Sequence, residues 1–167
     1  MSILGSIPLR GQSCSLHSLS IGAKCAIHLA QKGVNLALTY STNRAGIDAV
    51  VQEISQPVRI SIHQVDVASA DQIQDMFEQI QKEHGQPPDI LISNAGYGKR
   101  VPQVWDITLE EFDHTINVNL RASFILVKGV VEHMKQQRWG RIVFVSSIAA
   151  YGGGINGCRE YSCSSIA

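Results

Sequence analysis

The 167-residue sequence is most informative at first for what it lacks. It has no charge imbalance, since 14 Lys and Arg offset 14 Asp and Glu, and charged residues are only 17% of the chain. With neither a basic stripe nor an acidic tail, it offers nothing to nucleic acid or to an anionic membrane surface. No apolar run reaches the length of a membrane span, and Met1 to Gly11 reads neither as a signal peptide nor as an anchor. The four cysteines (Cys14, Cys25, Cys158 and Cys163) contain no CxxC pair. Neither a zinc framework nor a disulfide framework is therefore expected, and reduced thiols in the cytoplasm are the default. The six histidines are scattered without an HExxH, so no metal site is expected. Internal repeats, low-complexity segments and linkers are also missing.

What remains is 44% hydrophobic, enough to bury one good core, and a single domain over residues 1–167 is expected. Short apolar runs alternate with amphipathic helical patterns, the signature of a parallel α/β sheet. Val34 to Thr39 reads as a strand. Ala45 to Gln56 reads as a helix with Ile47, Val50, Val51 and Ile54 on one face, and Arg59 to Val65 as the next strand. Ser69 with Gln72 is a capping box that opens a helix carrying Ile73, Met76, Phe77 and Ile80. Gly85 and Pro87-Pro88 end it and lead into the strand Ile90 to Ile92. Thr108 with Glu111 is a second capping box. It opens a long helix whose expected inner face is Phe112, Ile116, Asn119, Ser123, Val127, Val130 and Met134. Gly140 stops that helix before the strand Arg141 to Val145. The near-continuous apolar runs of the last two strands suit a sheet covered on both faces.

Ligands of open parallel sheets sit beyond the carboxyl ends of the strands, near the point where strand order reverses. The residues at those ends are therefore the candidates. Asn94-Ala95-Gly96 follows one strand; it is either a small-residue wall that a ring can approach or an ordinary turn. Asp66-Val67 follows another, where the carboxylate either accepts from an exocyclic amine or serves the local loop. Ser146-Ser147 ends the last strand, and Asn119 is a polar residue on an apolar helix face, either functional or a satisfied core amide. Singly these are weak; their order along a βαβ alternation gives them weight.

In these motifs the chain resembles the short-chain dehydrogenases/reductases, in particular the 3-oxoacyl-carrier-protein reductase-like branch, over roughly Leu9 to Gly157. Ser93-Asn94-Ala95-Gly96 is similar to the family's Asn-Asn-Ala-Gly element, and Asn117-Val118-Asn119-Leu120 to its helix motif. Gly140 to Val143, leading to Ser146-Ser147, is similar to its fifth strand. The resemblance implies an α/β fold with a doubly wound parallel sheet (Rossmann), incomplete at the C-terminus. It implies oxidoreductase chemistry between a ketone and a secondary alcohol, on 3-oxoacyl or polyketide-type small molecules of secondary metabolism. Asn119, Ser147 and Tyr161 would be catalytic: Ser147 orients the carbonyl, Tyr161 exchanges a proton with it, and Asn119 supports the relay. Ile21, Gly22, Ser41, Arg44, Asp66, Asn94 and Gly96 would bind the cofactor. The stretch Thr39-Tyr40-Ser41-Thr42-Asn43-Arg44 lacks the acidic residue that would hold a ribose 2′-hydroxyl, and Arg44 with the hydroxyls suits a 2′-phosphate. NADP is therefore expected over NAD, although Arg44 reads equally well as a solvated residue at a helix start.

Two stretches depart from the family. In place of Thr-Gly-x-x-x-Gly-x-Gly stands Ser13 to Gly22, where only Ile21-Gly22 matches, with His17 and Leu19 adding bulk to a turn expected to be about two residues short. Tyr161 falls one residue later than the family spacing, so it is either the displaced tyrosine or an unrelated one, and Ser165 stands where the family lysine belongs. Without that lysine a phenol near pKa 10 is ionised only about one part in a thousand at pH 7. Relatives run on the order of 250 residues, the usual size of one α/β domain. The expectation is therefore a chain lacking the last two strands, the substrate-covering loop and most of a subunit-packing helix, and leaving an exposed apolar edge. Intact relatives would form homo-oligomers; that expectation does not extend to this chain. The competing readings are an inactive remnant or interaction module, and a sugar-nucleotide epimerase-like enzyme, which the short chain and the missing glycines disfavour.

Overall fold

The computed structural model describes residues 2–6, 20–99, 101, 103–147 and 150. In chain order the elements are β1 (Ser2–Ser6), α1 (Ile21–Ala30), β2 (Asn35–Tyr40), α2 (Arg44–Glu53), β3 (Ile60–Gln64), α3 (Ala70–His84) and β4 (Ile90–Ser93). A 3-10 turn (Val104–Asp106) then precedes α4 (Leu109–Ile116), a π turn (Asn117–Arg121), α5 (Ala122–Gln136) and β5 (Arg141–Phe144).

The five strands form one sheet in the order β3-β2-β1-β4-β5, and every pairing is parallel. The order reverses between β1 and β4, as in a doubly wound sheet. Both faces are covered, because strand side chains alternate and both sets are apolar. Leu36, Leu38, Ile90 and Ile92 pack on one face with Ala23, Ala26, Ala30, Ile47 and Val50 of α1 and α2. Ala37 and Leu91 pack on the other with Ile73, Met76 and Ile80 of α3 and Leu126 and Val130 of α5. On β5, Val143 and Phe144 are exposed, and among the described residues this strand pairs only with β4. No described helix is long and apolar enough to cross a membrane.

The caps are local and come from the sequence. Ser20, Asn43, Ser69 and Thr108 each accept a backbone N–H three residues on, from Ala23, Gly46, Gln72 and Glu111 respectively. Neither expected capping box closes reciprocally. The Gln72 amide oxygen accepts from the Asp66 N–H instead, and Glu111 turns to Lys99. Gly85 ends α3 at φ +81°, a conformation that side chains rarely adopt.

Three further expectations are corrected. The helix expected to reach Gln56 ends at Glu53, because Ile54 is already extended three residues before Pro57. The first strand is Ser2–Ser6, upstream of the Leu9 where the family resemblance begins. Residues 7–19 lie outside the described residues, and the expected two-residue shortening of that turn lies there with them. The inner face of the α4–α5 helix is Thr115, Val118, Ala122, Leu126, Val130 and Met134, with Phe112 exposed. The stripe falls one place earlier than expected already at Leu126 and Ala122, and it continues from there through Val118 of the π turn to Thr115.

Candidate functional site

The sheet presents two groups of candidate residues at its carboxyl end, separated by β1. On the β2–β3 side, Arg44 is the first residue of α2. Its Nε donates to Asp48 Oδ1 at 2.9 Å, and its guanidinium lies 5.7 Å from the centre of the Tyr40 ring. The hydrogen bond to Asp48, then the one to the Tyr40 phenol, hold the Arg44 pKa above its ordinary value. The turn between is fixed from β3, where Gln64 Nε2 donates to the Ser41 carbonyl at 3.1 Å. Ser41 is exposed. Asp66, beyond β3, is exposed as well and uses Oδ1 to accept from the Ala68 N–H at 3.0 Å, which is the local loop role.

On the β4–β5 side, Ser93 and Asn94 are buried at 5% and 8% exposure, so the turn starts from inside the sheet. Asn119 lies outside the buried stripe, beside Val118, and faces the segment after β4. Its Oδ1 accepts from the Tyr97 N–H at 2.7 Å, and its Nδ2 donates to the Tyr97 carbonyl at 2.8 Å. Ser123 Oγ donates to the Asn119 carbonyl at 3.5 Å and meets Ser93 Oγ at 2.9 Å. Gly96 lies over this clamp: a Cβ there would meet nothing closer than Asn119 Oδ1 at 3.8 Å, so its backbone face is open to a flat ring. The Tyr97 ring packs edge-on to His114 with centroids 4.4 Å apart, and Lys99 Nζ pairs with Glu111 Oε2 at 3.3 Å. The segment from Tyr97 to Lys99 is therefore held to α4 and the π turn at three points.

Ser147 is half-buried beyond β5, and its carbonyl accepts the Ala150 N–H at 3.1 Å. Val145 N–H donates to the Ser93 carbonyl at 2.9 Å, which carries the β4–β5 ladder up to the two serines and sets them beside Asn94. Of the expected site residues, Asn94, Gly96, Asn119 and Ser147 thus share one end of the sheet, while Ser41, Arg44 and Asp66 share the neighbouring one. Ile21 is an exposed residue and Gly22 a buried one in the first turn of α1. Tyr161, His17 and Leu19 lie outside the described residues. Tyr40, Asp48 and Tyr97 were not anticipated. The four-residue spacing of Arg44 and Asp48 was a legible signal; the meeting of Tyr97 with Asn119 was not, being tertiary. Among the described residues no group of three or more His, Cys, Asp or Glu could hold a metal ion.

Comparison with known proteins agrees with this geometry. A family model described as short chain dehydrogenase matches residues 17–167. An NADPH-dependent aldehyde reductase-like protein of Arabidopsis thaliana is 31% identical over 154 residues, 84% of this chain and 57% of that one. The 3-oxoacyl-[acyl-carrier-protein] reductase of Staphylococcus epidermidis is 32% identical over 132 residues, 78% of this chain and 53% of that one. A short chain dehydrogenase from Burkholderia cenocepacia, solved with NADP, superposes with a TM-score of 0.79 at 28% identity, covering 98% of this chain and 62% of its own. The chain spans little more than half the length of these curated relatives.

Proposed function

The chain belongs to the short-chain dehydrogenase family, and from that premise we propose that it is the NADP-binding domain of a cytoplasmic oxidoreductase, weakened at two points. The reaction interconverts a ketone and a secondary alcohol on a 3-oxoacyl or polyketide-type small molecule. The observation that carries this reading is the division of the sheet's carboxyl end by β1. An arginine seated on a tyrosine lies on one side, and an open glycine face beside a clamped asparagine lies on the other. A dinucleotide bridges such a division at the point where strand order reverses.

The residues present fit the cofactor on both sides. Arg44 offers a guanidinium and Ser41 an exposed hydroxyl to a 2′-phosphate, with no acidic side chain at the end of β2 to repel it. Asp66 offers an exposed carboxylate to the adenine amine, and Gly96 an uncluttered backbone to the nicotinamide ring. NADPH, when bound, supplies the hydride. Ser147 would orient the carbonyl oxygen and Tyr161 would deliver the proton. Asn119 acts by position: both ends of its amide are engaged with Tyr97, so it holds the wall beside the ring. The family match, the NADPH-dependent aldehyde reductase-like relative and the dehydrogenase solved with NADP support the cofactor.

The weak points are residues 13–22, which keep only Gly22 of the pyrophosphate-binding glycines, and Ser165 in place of the lysine. A family-like lowering of the tyrosine pKa by about three units is worth roughly a thousandfold in rate, and that factor is lost here. The test is fluorescence titration of NADPH with the purified full chain, followed by reduction of an acetoacetyl thioester. Enhancement and a blue shift, with slow turnover abolished by Ser147→Ala, are expected. A chain that leaves NADPH emission unchanged is an inactive remnant, and the proposal fails.

A further inference from the structure

We infer that Asp48 is a specificity-determining positioning residue, fixing the Arg44 guanidinium so that it discriminates a 2′-phosphate from a 2′-hydroxyl. This rests on the reading of the cofactor as NADP. Arginine carries long, freely rotating methylenes, and in an exposed position it loses much rotamer entropy when it engages a ligand. Arg44 is exposed, yet it is tied in two directions. Asp48 takes Nε in the guanidinium plane at 2.9 Å, and the Tyr40 ring lies 5.7 Å from Cζ. The base of the side chain is also fixed, because Asn43 caps α2 through the Gly46 N–H and Gln64 holds the Ser41 carbonyl. The Asp48 bond uses Nε, which directs the Nη1/Nη2 edge, one of the two bidentate edges of a guanidinium, to the phosphate oxygens.

Asp48 also brings a negative charge near the incoming phosphate, and the two effects oppose each other. With side chains 55% and 47% exposed, the repulsion acts through water and counter-ions and is worth less than about twofold in affinity at physiological salt. Pre-ordering an arginine recovers part of a rotamer term worth more than tenfold, so about threefold to fivefold is expected from orientation. Orientation wins.

The experiment titrates the full chain with 2′-AMP and with 5′-AMP, following amide chemical shifts. These probes report the adenosine end without the pyrophosphate or the chemistry. Arg44→Ala should weaken 2′-AMP about tenfold and leave 5′-AMP unchanged. Asp48→Ala should weaken 2′-AMP about threefold, again without affecting 5′-AMP, and should have no further effect in the Arg44→Ala background. Asp48→Asn keeps an acceptor for Nε and removes the charge, so it should bind 2′-AMP at least as well as the parent. Asp48→Ala binding 2′-AMP as tightly as the parent, or Asp48→Asn losing as much as Asp48→Ala, overturns the role of Asp48 while leaving the NADP reading intact. Arg44→Ala with undiminished 2′-AMP affinity overturns both.

Discussion

A buried polar chain between β3 and α3 gives the sharpest test of the packing argument. Ser61 and His63, at 3% and 2% exposure, face α3 from alternate positions of β3. His63 Nδ1 lies 3.1 Å from Gln79 Oε1, so with that oxygen as acceptor His63 carries its proton on Nδ1. Its Nε2 then accepts from the Ser61 hydroxyl at 2.7 Å, and Ser61 Oγ accepts in turn from His84 Nε2 at 2.9 Å. One hydroxyl therefore satisfies two imidazoles. Ser61→Ala removes a single oxygen and leaves almost no cavity, but it strands both Nε2 atoms. Leaving a buried partner unsatisfied costs about 1–3 kcal/mol, with His63 near the upper part of that range and the half-buried His84 near the lower. A loss of about 3 kcal/mol is expected, which for a urea m-value of about 2 kcal/mol/M moves the unfolding midpoint down by roughly 1.5 M. Urea denaturation at pH 7.5, followed by circular dichroism, measures it. A variant within about 0.5 kcal/mol of the parent would show that the hydroxyl is not the shared partner of the two rings.

The same cluster has a pH signature. Burial first, then the Arg59 charge, lowers the His84 pKa below its ordinary value, and His84 Nδ1 is buried without a partner. The unfolded chain thus binds the proton more readily than the native one. The His84 contribution to stability is complete above about pH 6.5 and is lost as pH falls through the lowered value. Because the ring is only half-buried, the slope should be a fraction of the one-proton limit of about 1.4 kcal/mol per pH unit, and His84→Gln should flatten the midpoint–pH curve below about pH 6.5. An unchanged curve refutes the assignment. At the same amino end of the sheet, Asp89 is 4% exposed and accepts from Gln86 Nε2 at 3.0 Å and Gln137 Nε2 at 2.7 Å, with His133 Nε2 at 3.0 Å. Asp89→Ala should cost about 2–4 kcal/mol by calorimetry, since several buried donors lose their acceptor together; a change below 1 kcal/mol would sink this. On α5, a Cβ at Gly129 would run into the Phe77 ring of α3. Gly129→Ala should therefore destabilise by about 1–2 kcal/mol despite the better helix propensity of alanine, and a stabilised variant in thermal melts would mean that Phe77 swings clear.

Much of the fold was legible because it is written in short-range terms. Strands buried on both faces must be apolar on both, and β2 and β4 read as such runs. Helix starts carry their own acceptors, and Ser69 and Thr108 were identifiable by chemistry alone. β1 was not, because Ser-Ile-Leu-Gly-Ser has neither length nor alternation; its strand character comes from ladder bonds to β2 and β4 on its two sides. The inner face of the long helix was misplaced for a related reason. Period alone does not choose between neighbouring positions: Ala122 and Leu126 are buried where Ser123 and Val127 were expected, and the stripe continues from them to Val118 and Thr115. Nothing in Asn-Val-Asn-Leu-Arg announces the π turn either.

One half of the site was visible in the sequence and the other half was not, because one is built from local contacts and the other from distant ones. Around Arg44 the geometry is built from contacts across one helical turn and one strand end, so spacing alone proposes it. Around Asn119 the geometry is tertiary: Thr115 and Val118 take the core positions, and the Asn119 amide clamps the Tyr97 backbone 22 residues earlier in the chain. A π turn costs hydrogen-bond quality and persists where something offsets it. Here the two bonds to the Tyr97 backbone, together with the Ser123 hydroxyl on the Asn119 carbonyl, supply that offset. The wall beside Gly96 and the π turn are therefore joined through one side chain, since the Asn119 amide that clamps Tyr97 also lies nearest to the glycine face.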